Sequence, residues 1–84
     1  MNELLLKAKK FPLSSGVYFF IDSKGTILYI GRALSLKIRI LNYFQKNIDP
    51  RIGEMVMLAK DLKFQKTANL LEAIILEANL IKKY

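Results

Sequence analysis

Two runs rich in β-branched and aromatic residues, Gly16–Ile21 and 26–31, flank the tetrapeptide Asp22-Ser23-Lys24-Gly25. Asp at the start of such a tetrapeptide and Gly at its end mark a tight turn, so the pattern predicts a β-hairpin. If Asp22 and Gly25 bracket the turn, Tyr18 falls opposite Tyr29 and Gly16 opposite Gly31. A three-residue turn with Gly25 as a bulge is expected to keep the same pairing. The two phenols then become cross-strand neighbours on one sheet face, about 5 Å apart at Cβ. The glycines at the strand ends let backbone approach a ligand closely. The same tyrosine pair also has a plain use, since aromatic pairs stabilise hairpins.

Around the hairpin the periodicity turns helical. Residues 2–10 have helix-forming composition, and Pro12 stops that helix by disfavouring the α conformation at Phe11. Residues 34–46 suit a helix with Leu34, Ile38, Leu41 and Phe44 towards a core. Residues 47–50 form a loop, 51–60 a further helix and 62–67 a third strand. Leu70–Lys83 is a strong helix, opened by Asn69 as N-cap. The expected class is α+β: a small mixed domain whose three-stranded antiparallel sheet carries the N-terminal hairpin and is flanked by helices.

Composition narrows the chemistry. At 84 residues the chain builds one core, so 1–84 is expected to be a single domain. With no cysteine and no histidine, neither disulfides nor a cysteine-based zinc site are available, and the commonest general base at neutral pH is missing. Hydrolysis would have to use Tyr, Lys, Glu or Asp. The net charge of +7 favours polyanions such as nucleic acid, although basic domains have other uses. No stretch approaches the ~20 apolar residues that span a bilayer, and Leu4-Leu5-Leu6 is too short for a signal segment and is followed by lysines. The expectation is a soluble, cytoplasmic, monomeric domain without a membrane partner.

Two helices carry candidate site residues. At ~100° per residue, Arg39 shares a face with Ser35, Leu36, Asn42, Tyr43 and Lys46. Arg32 starts the loop leading into that helix. Guanidinium groups grip phosphate oxygens as a fork, and a phenol donates a further bond; a solvated helix face would look the same. In the last helix Glu77 has Ala73, Ile74, Leu80 and Ile81 as neighbours one turn away, a lone charge on an apolar stripe. Such a carboxylate is paired, protonated or bound to a metal, and an ion pair with Arg32, Arg39 or a lysine is the structural alternative. Glu72, Asp49, Glu54 and Asp61 suggest no multi-carboxylate cluster. A single carboxylate completed by water and phosphate suits a magnesium-like ion.

These positions also carry a resemblance. Gly16-Val17-Tyr18 followed by Tyr29-Ile30-Gly31 resembles the paired motifs that name the GIY-YIG nuclease superfamily. Gly31-Arg32-Ala33, Leu36, Arg39, Tyr43-Phe44 and the run from Glu72 to Tyr84 are similar to the UvrC branch, and the match covers residues 11–84. The resemblance implies metal-dependent hydrolysis of DNA with one divalent cation, Mg2+ or Mn2+. It implies that Tyr29 activates the attacking water with Tyr18 as motif partner, that Arg39 stabilises phosphate charge and that Tyr43 completes the site. It makes Glu77 the metal ligand. Gly31, Arg32, Arg39 and Lys46 are expected to meet DNA. A tyrosine with a pKa near 10 is a poor base unaided, so a neighbouring cation or metal-bound water must help it, with Arg32 a candidate for that field.

The family usually has lysine where Arg32 stands, and arginine cannot shuttle protons. Proline commonly precedes the first motif glycine, where Ser15 stands here. An asparagine that the family uses follows the Lys82-Lys83-Tyr84 ending, beyond this chain, so a piece of a longer protein with an incomplete site is expected. The implied setting is the 3′ incision of nucleotide excision repair on damaged duplex, partnered by the UvrB–DNA complex. A stand-alone or homing-type GIY-YIG endonuclease, a catalytically silent nucleic-acid-binding module and a purely structural domain with an ion pair at Glu77 remain as alternatives.

Overall fold

A computed structural model describes residues 3–84. Its order is α1 (Glu3–Ala8), β1 (Gly16–Ile21), β2 (Ile27–Ala33), α2 (Leu36–Asn42), α3 (Pro50–Leu58), β3 (Asp61–Lys66) and α4 (Leu70–Lys83). The class is α+β, with a three-stranded antiparallel sheet ordered β2-β1-β3. The helix expected over 2–10 is found as Glu3–Ala8, with Lys9 and Lys10 in a turn after it, and Asn2 lies outside the described residues.

β1 is central because it alone is apolar on both faces. Tyr18 and Phe20 point into the main core with Leu4, Ala8, Phe11, Leu36, Ile40 and Leu62. Val17 alternates to the other face, where α4 packs across β2 and β1 with Ala73 fully buried. The segment before β1 is stitched in by hydrogen bonds. Leu36 N donates to Ser14 O (2.9 Å) and Lys37 N to Pro12 O (3.0 Å). Ser15, buried, donates to Thr67 O (3.0 Å). No helix among the described residues is long and apolar enough to cross a membrane.

The hairpin register differs from expectation. Tyr18 lies opposite Gly31, Phe20 opposite Tyr29 and Gly16 opposite Ala33. Two extra residues cause the shift. Asp22 N donates to Thr26 O (2.9 Å) around a three-residue loop closed by Gly25 at φ 84°, and this adds one residue. The register slips again between Ile21↔Ile27 and Phe20↔Tyr29, leaving Leu28 as a second extra. Because side chains alternate with period two, two slips restore the face that one would have inverted. Tyr18 and Tyr29 therefore still share a face, as diagonal rather than direct neighbours.

α2 is shorter than expected and turned about its axis. Ser35 caps its N-terminus, accepting from Ile38 N (3.4 Å), and Tyr43 is the C-cap, so Lys46 falls in the turn beyond. Leu36 and Ile40 are the fully buried residues, while Leu34 is 69% and Ile38 58% exposed. Leu36, expected on the face of Arg39, is instead turned into the core. A seven-residue helix with apolar residues at 36, 38, 40 and 41 has no unique stripe, and the core it meets decides. Arg32 also moves: it belongs to β2, opposite Val17, and not to a loop.

Candidate active site

The site grows from one row of the sheet. A Cβ on Gly31 would fall far inside van der Waals contact with Cζ and Oη of Tyr18. Gly31 is thus glycine because the Tyr18 ring lies over it. Its φ is not in the left-handed region, so space rather than backbone freedom is what it supplies. Lying there, Tyr18 is 1% exposed and its hydroxyl meets the Tyr43 hydroxyl at 2.6 Å. Tyr29, one pleat along β2 on the same face, is 45% exposed. The three phenol rings form a triangle, with centroids 6.3 Å (Tyr18–Tyr29), 5.8 Å (Tyr18–Tyr43) and 6.5 Å (Tyr29–Tyr43) apart.

Burial separates their chemistry. It raises the Tyr18 phenol above the usual tyrosine value, with the Tyr43 hydrogen bond and the Arg39 charge pulling the other way. Burial, and then the hydrogen bond with Tyr18, hold the Tyr43 phenol far above that value. Both therefore keep their protons at neutral pH, suited to donating hydrogen bonds and not to acting as bases.

α4 brings the acid. Asn69 caps it by accepting from Glu72 N, and Glu72 Oε1 accepts from Ala68 N, both at 2.9 Å. Glu77, two turns in, has a side chain only 15% exposed, and its Oε1 accepts from Arg32 Nη1 at 2.6 Å. Its surroundings are less apolar than the sequence suggested, because Ile74 (39%) and Ile81 (55%) are exposed. Arg32 is 49% exposed, so the pair is open to water.

Tyr18, Tyr29, Gly31, Arg32, Arg39 and Glu77 line one cavity of about 190 Å³. Of the residues singled out in the sequence, Tyr43 joins through its hydroxyl. Lys46 lines neither this cavity nor the two beside it. Among the described residues no three Asp, Glu, His or Cys side chains gather as a metal cluster. Sequence reasoning missed the far wall. Ile48, Asp49, Arg51, Ile52 and Met55, around α3, line two adjoining hollows that share Arg39, Tyr29 and Tyr43 with the site. No local pattern marked them, since the course of residues 43–49 alone brings α3 there.

Residues 14–84 match the family model described as the UvrC-like GIY-YIG domain. The chain belongs to that family. By family it is an endonuclease domain. It is 51% identical over 74 residues to UvrABC system protein C of Methanospirillum hungatei JF-1, a match covering 87% of the chain and 14% of that protein. The counterpart from Dictyoglomus thermophilum is 42% identical over 82 residues, covering 98% of the chain and again 14% of the relative. The chain thus spans about one seventh of these curated relatives. The solved GIY-YIG N-terminal endonuclease domain of UvrC from Thermotoga maritima, bound to magnesium as its catalytic divalent cation, superposes with a TM-score of 0.89 at 36% identity. That match covers 100% of this chain and 93% of that one. A tyrosine point mutant of the same domain, also with its divalent cation, superposes equally well.

Proposed function

We propose that this domain hydrolyses a DNA phosphodiester bond with one divalent cation, Mg2+ or Mn2+, and makes the 3′ incision of nucleotide excision repair. Its substrate in that role is damaged duplex presented as a UvrB–DNA complex. The observation that carries the reading is the convergence of Tyr29, Arg39, Arg32 and Glu77 on one water-accessible hollow.

The donor set fits a hard cation that keeps much of its hydration shell. One carboxylate stands at the wall of a 190 Å³ hollow, which has room for about six waters. Glu77 would hold the ion, and a carboxylate has acceptor sites beyond the one that Arg32 occupies. When bound, the ion supplies Lewis-acid stabilisation of charge on the scissile phosphate. Arg39 places a permanent guanidinium where phosphate charge develops. Tyr29, the one exposed phenol of the three, takes the proton of the attacking water as a phenolate, its own proton having passed to solvent, with cationic Arg32 and Arg39 beside the same hollow. Tyr18 and Tyr43, protonated, fix Tyr29 and Arg39 in place and offer hydrogen bonds. Arg32 orients the Glu77 carboxylate, a role that needs charge but no proton transfer.

Nicking of supercoiled plasmid, set beside DNA binding, tests this. Glu77→Ala and Tyr29→Phe should each lower metal-dependent nicking at least ~100-fold while leaving salt-sensitive binding within about twofold of the parent. Retained nicking in Glu77→Ala refutes the assignment of the metal ligand. A parent protein that binds DNA but never nicks with Mg2+ or Mn2+ and the loader proteins is a silent binding module.

A further inference from the structure

We propose that Arg51 is a substrate-positioning residue, gripping a DNA phosphate next to the one that is cut; the inference rests on the nuclease reading above. The catalytic hollow does not end at Tyr29. Across the Tyr29 ring it meets a second hollow of about 280 Å³, lined also by Tyr43, Asp49, Arg51, Ile52 and Met55. Beside Arg39 and Tyr43 a third, of about 340 Å³, is lined by Asn42, Ile48 and Ile52. Shared walls make these one groove leading from Glu77 to the start of α3. A polynucleotide strand must leave the scissile phosphate in some direction, and this groove offers a path with apolar walls for sugars and a cation at its far end.

Arg51 suits that end. Its side chain is 91% exposed, and its only ion contact among the described residues is a loose 3.6 Å approach of Nε to Asp49 Oδ1. That same oxygen already caps α3 by accepting from Arg51 N at 2.8 Å. Asp49 therefore fixes the backbone at Arg51 and leaves the guanidinium fork free for a phosphate. α3 has no buried residue, so it rests on the domain as a peripheral wall whose surface residues can be changed without disturbing the core.

The test uses parent, Arg51→Ala, Arg51→Lys and, as a charge-matched control in the exposed hairpin turn, Lys24→Ala. Binding to a duplex oligonucleotide is read in EDTA over a range of salt, and cleavage kinetics with Mn2+. For Arg51→Ala the slope of log K against log salt should shrink by about 0.9. KM should rise about tenfold, with kcat within twofold and an unchanged melting temperature. Arg51→Lys should restore the slope but only part of KM, because an ammonium lacks the fork; Lys24→Ala should leave KM at the parent value. Equal slopes for parent and Arg51→Ala, or a fall in kcat at constant KM, overturn the proposal. The EDTA slope stands without catalysis, so a parent that never cuts DNA refutes the nuclease reading separately.

Discussion

Replacing Gly31 by alanine should destabilise the domain by about 2 kcal/mol. The added methyl is aimed at Cζ and Oη of Tyr18, and that ring is hemmed in except where it borders the hollow. It is 1% exposed, packs edge-on against Phe20 with centroids 6.1 Å apart, and is tied by its hydroxyl to Tyr43. Overpacking a core of this kind costs about 1–3 kcal/mol. Displacing the ring also sacrifices the Tyr18–Tyr43 hydrogen bond, about 1 kcal/mol. Against these stands the lower entropy of an alanine in the unfolded chain and strand, worth ~0.7 kcal/mol. For a domain of this length the net ~2 kcal/mol lowers Tm by roughly 8–16 °C. Urea unfolding followed by far-UV circular dichroism and tyrosine fluorescence, unobstructed because the chain has no tryptophan, measures it. In a Tyr18→Phe background the hydrogen bond is already gone, so the same substitution should cost ~1 kcal/mol less. A Gly31→Ala protein within 0.5 kcal/mol of its parent would falsify the view that this glycine exists to seat the tyrosine.

Two pH dependences follow from the burial and pairing of particular groups. Tyr18 and Tyr43 have folded-state pKa values above the unfolded one, so the stability they contribute is complete below about pH 10. It is lost as pH rises towards the folded values. Their phenolate absorbance should therefore appear only above pH 10 and together with alkaline unfolding; a Tyr43→Phe difference spectrum that removes a step at or below pH 10 contradicts this. Asp61 is opposite in sign. Its hydrogen bond with Lys7 holds the carboxyl below its usual value, so its contribution is present above about pH 4 and disappears as pH falls through the folded pKa. The pair is half exposed, at 49% and 35%, which limits it to ~1 kcal/mol or less. Lys7→Met should flatten stability between pH 4 and 2 relative to the parent, and parallel acid profiles for the two proteins would show that the pair contributes nothing.

What the sequence disclosed depends on how local the signal was. α4 falls at Leu70–Lys83 as expected because Asn69 and Glu72 satisfy its first amides from within the same few residues. The hairpin was legible as a hairpin, and its face was right, yet its register was not. The extra residue at Leu28 reflects twist and packing that no turn signature encodes. α2 misled because apolar residues at 34, 36, 38, 40 and 41 fit more than one stripe, and contact with the β1 face selected Leu36 and Ile40. In α4, apolar spacing overstated burial: of the stripe around Glu77, Ile74 is 39% and Ile81 55% exposed. Glu77 was nevertheless legible, since a lone acid between Ala73 and Leu80 is unusual on any packed face. Arg51 was not, because its nearness to Tyr29 depends on chain passing through residues 43–49 with no periodicity to follow.

The Tyr18–Tyr43 hydrogen bond links stability to the site. α2 is held at its start by Pro12 and Ser14, which accept from Lys37 N and Leu36 N. At its end it is held by the hydroxyl contact of its C-cap, Tyr43, with Tyr18 in the central strand. Arg39 stands between the two anchors, one turn before Tyr43, so its guanidinium is aimed by a helix that cannot slide along the sheet. The anchor at Tyr43 needs a proton on at least one of the two phenols, which burial ensures, and it requires Gly31 beneath the Tyr18 ring. Two of the three tyrosines are thereby committed to geometry, leaving Tyr29, exposed at the rim, as the phenol free to meet a substrate. The chain thus fixes its proposed phosphate-binding arginine through core packing, and mutations that loosen the core on this side should lower activity before they unfold the domain.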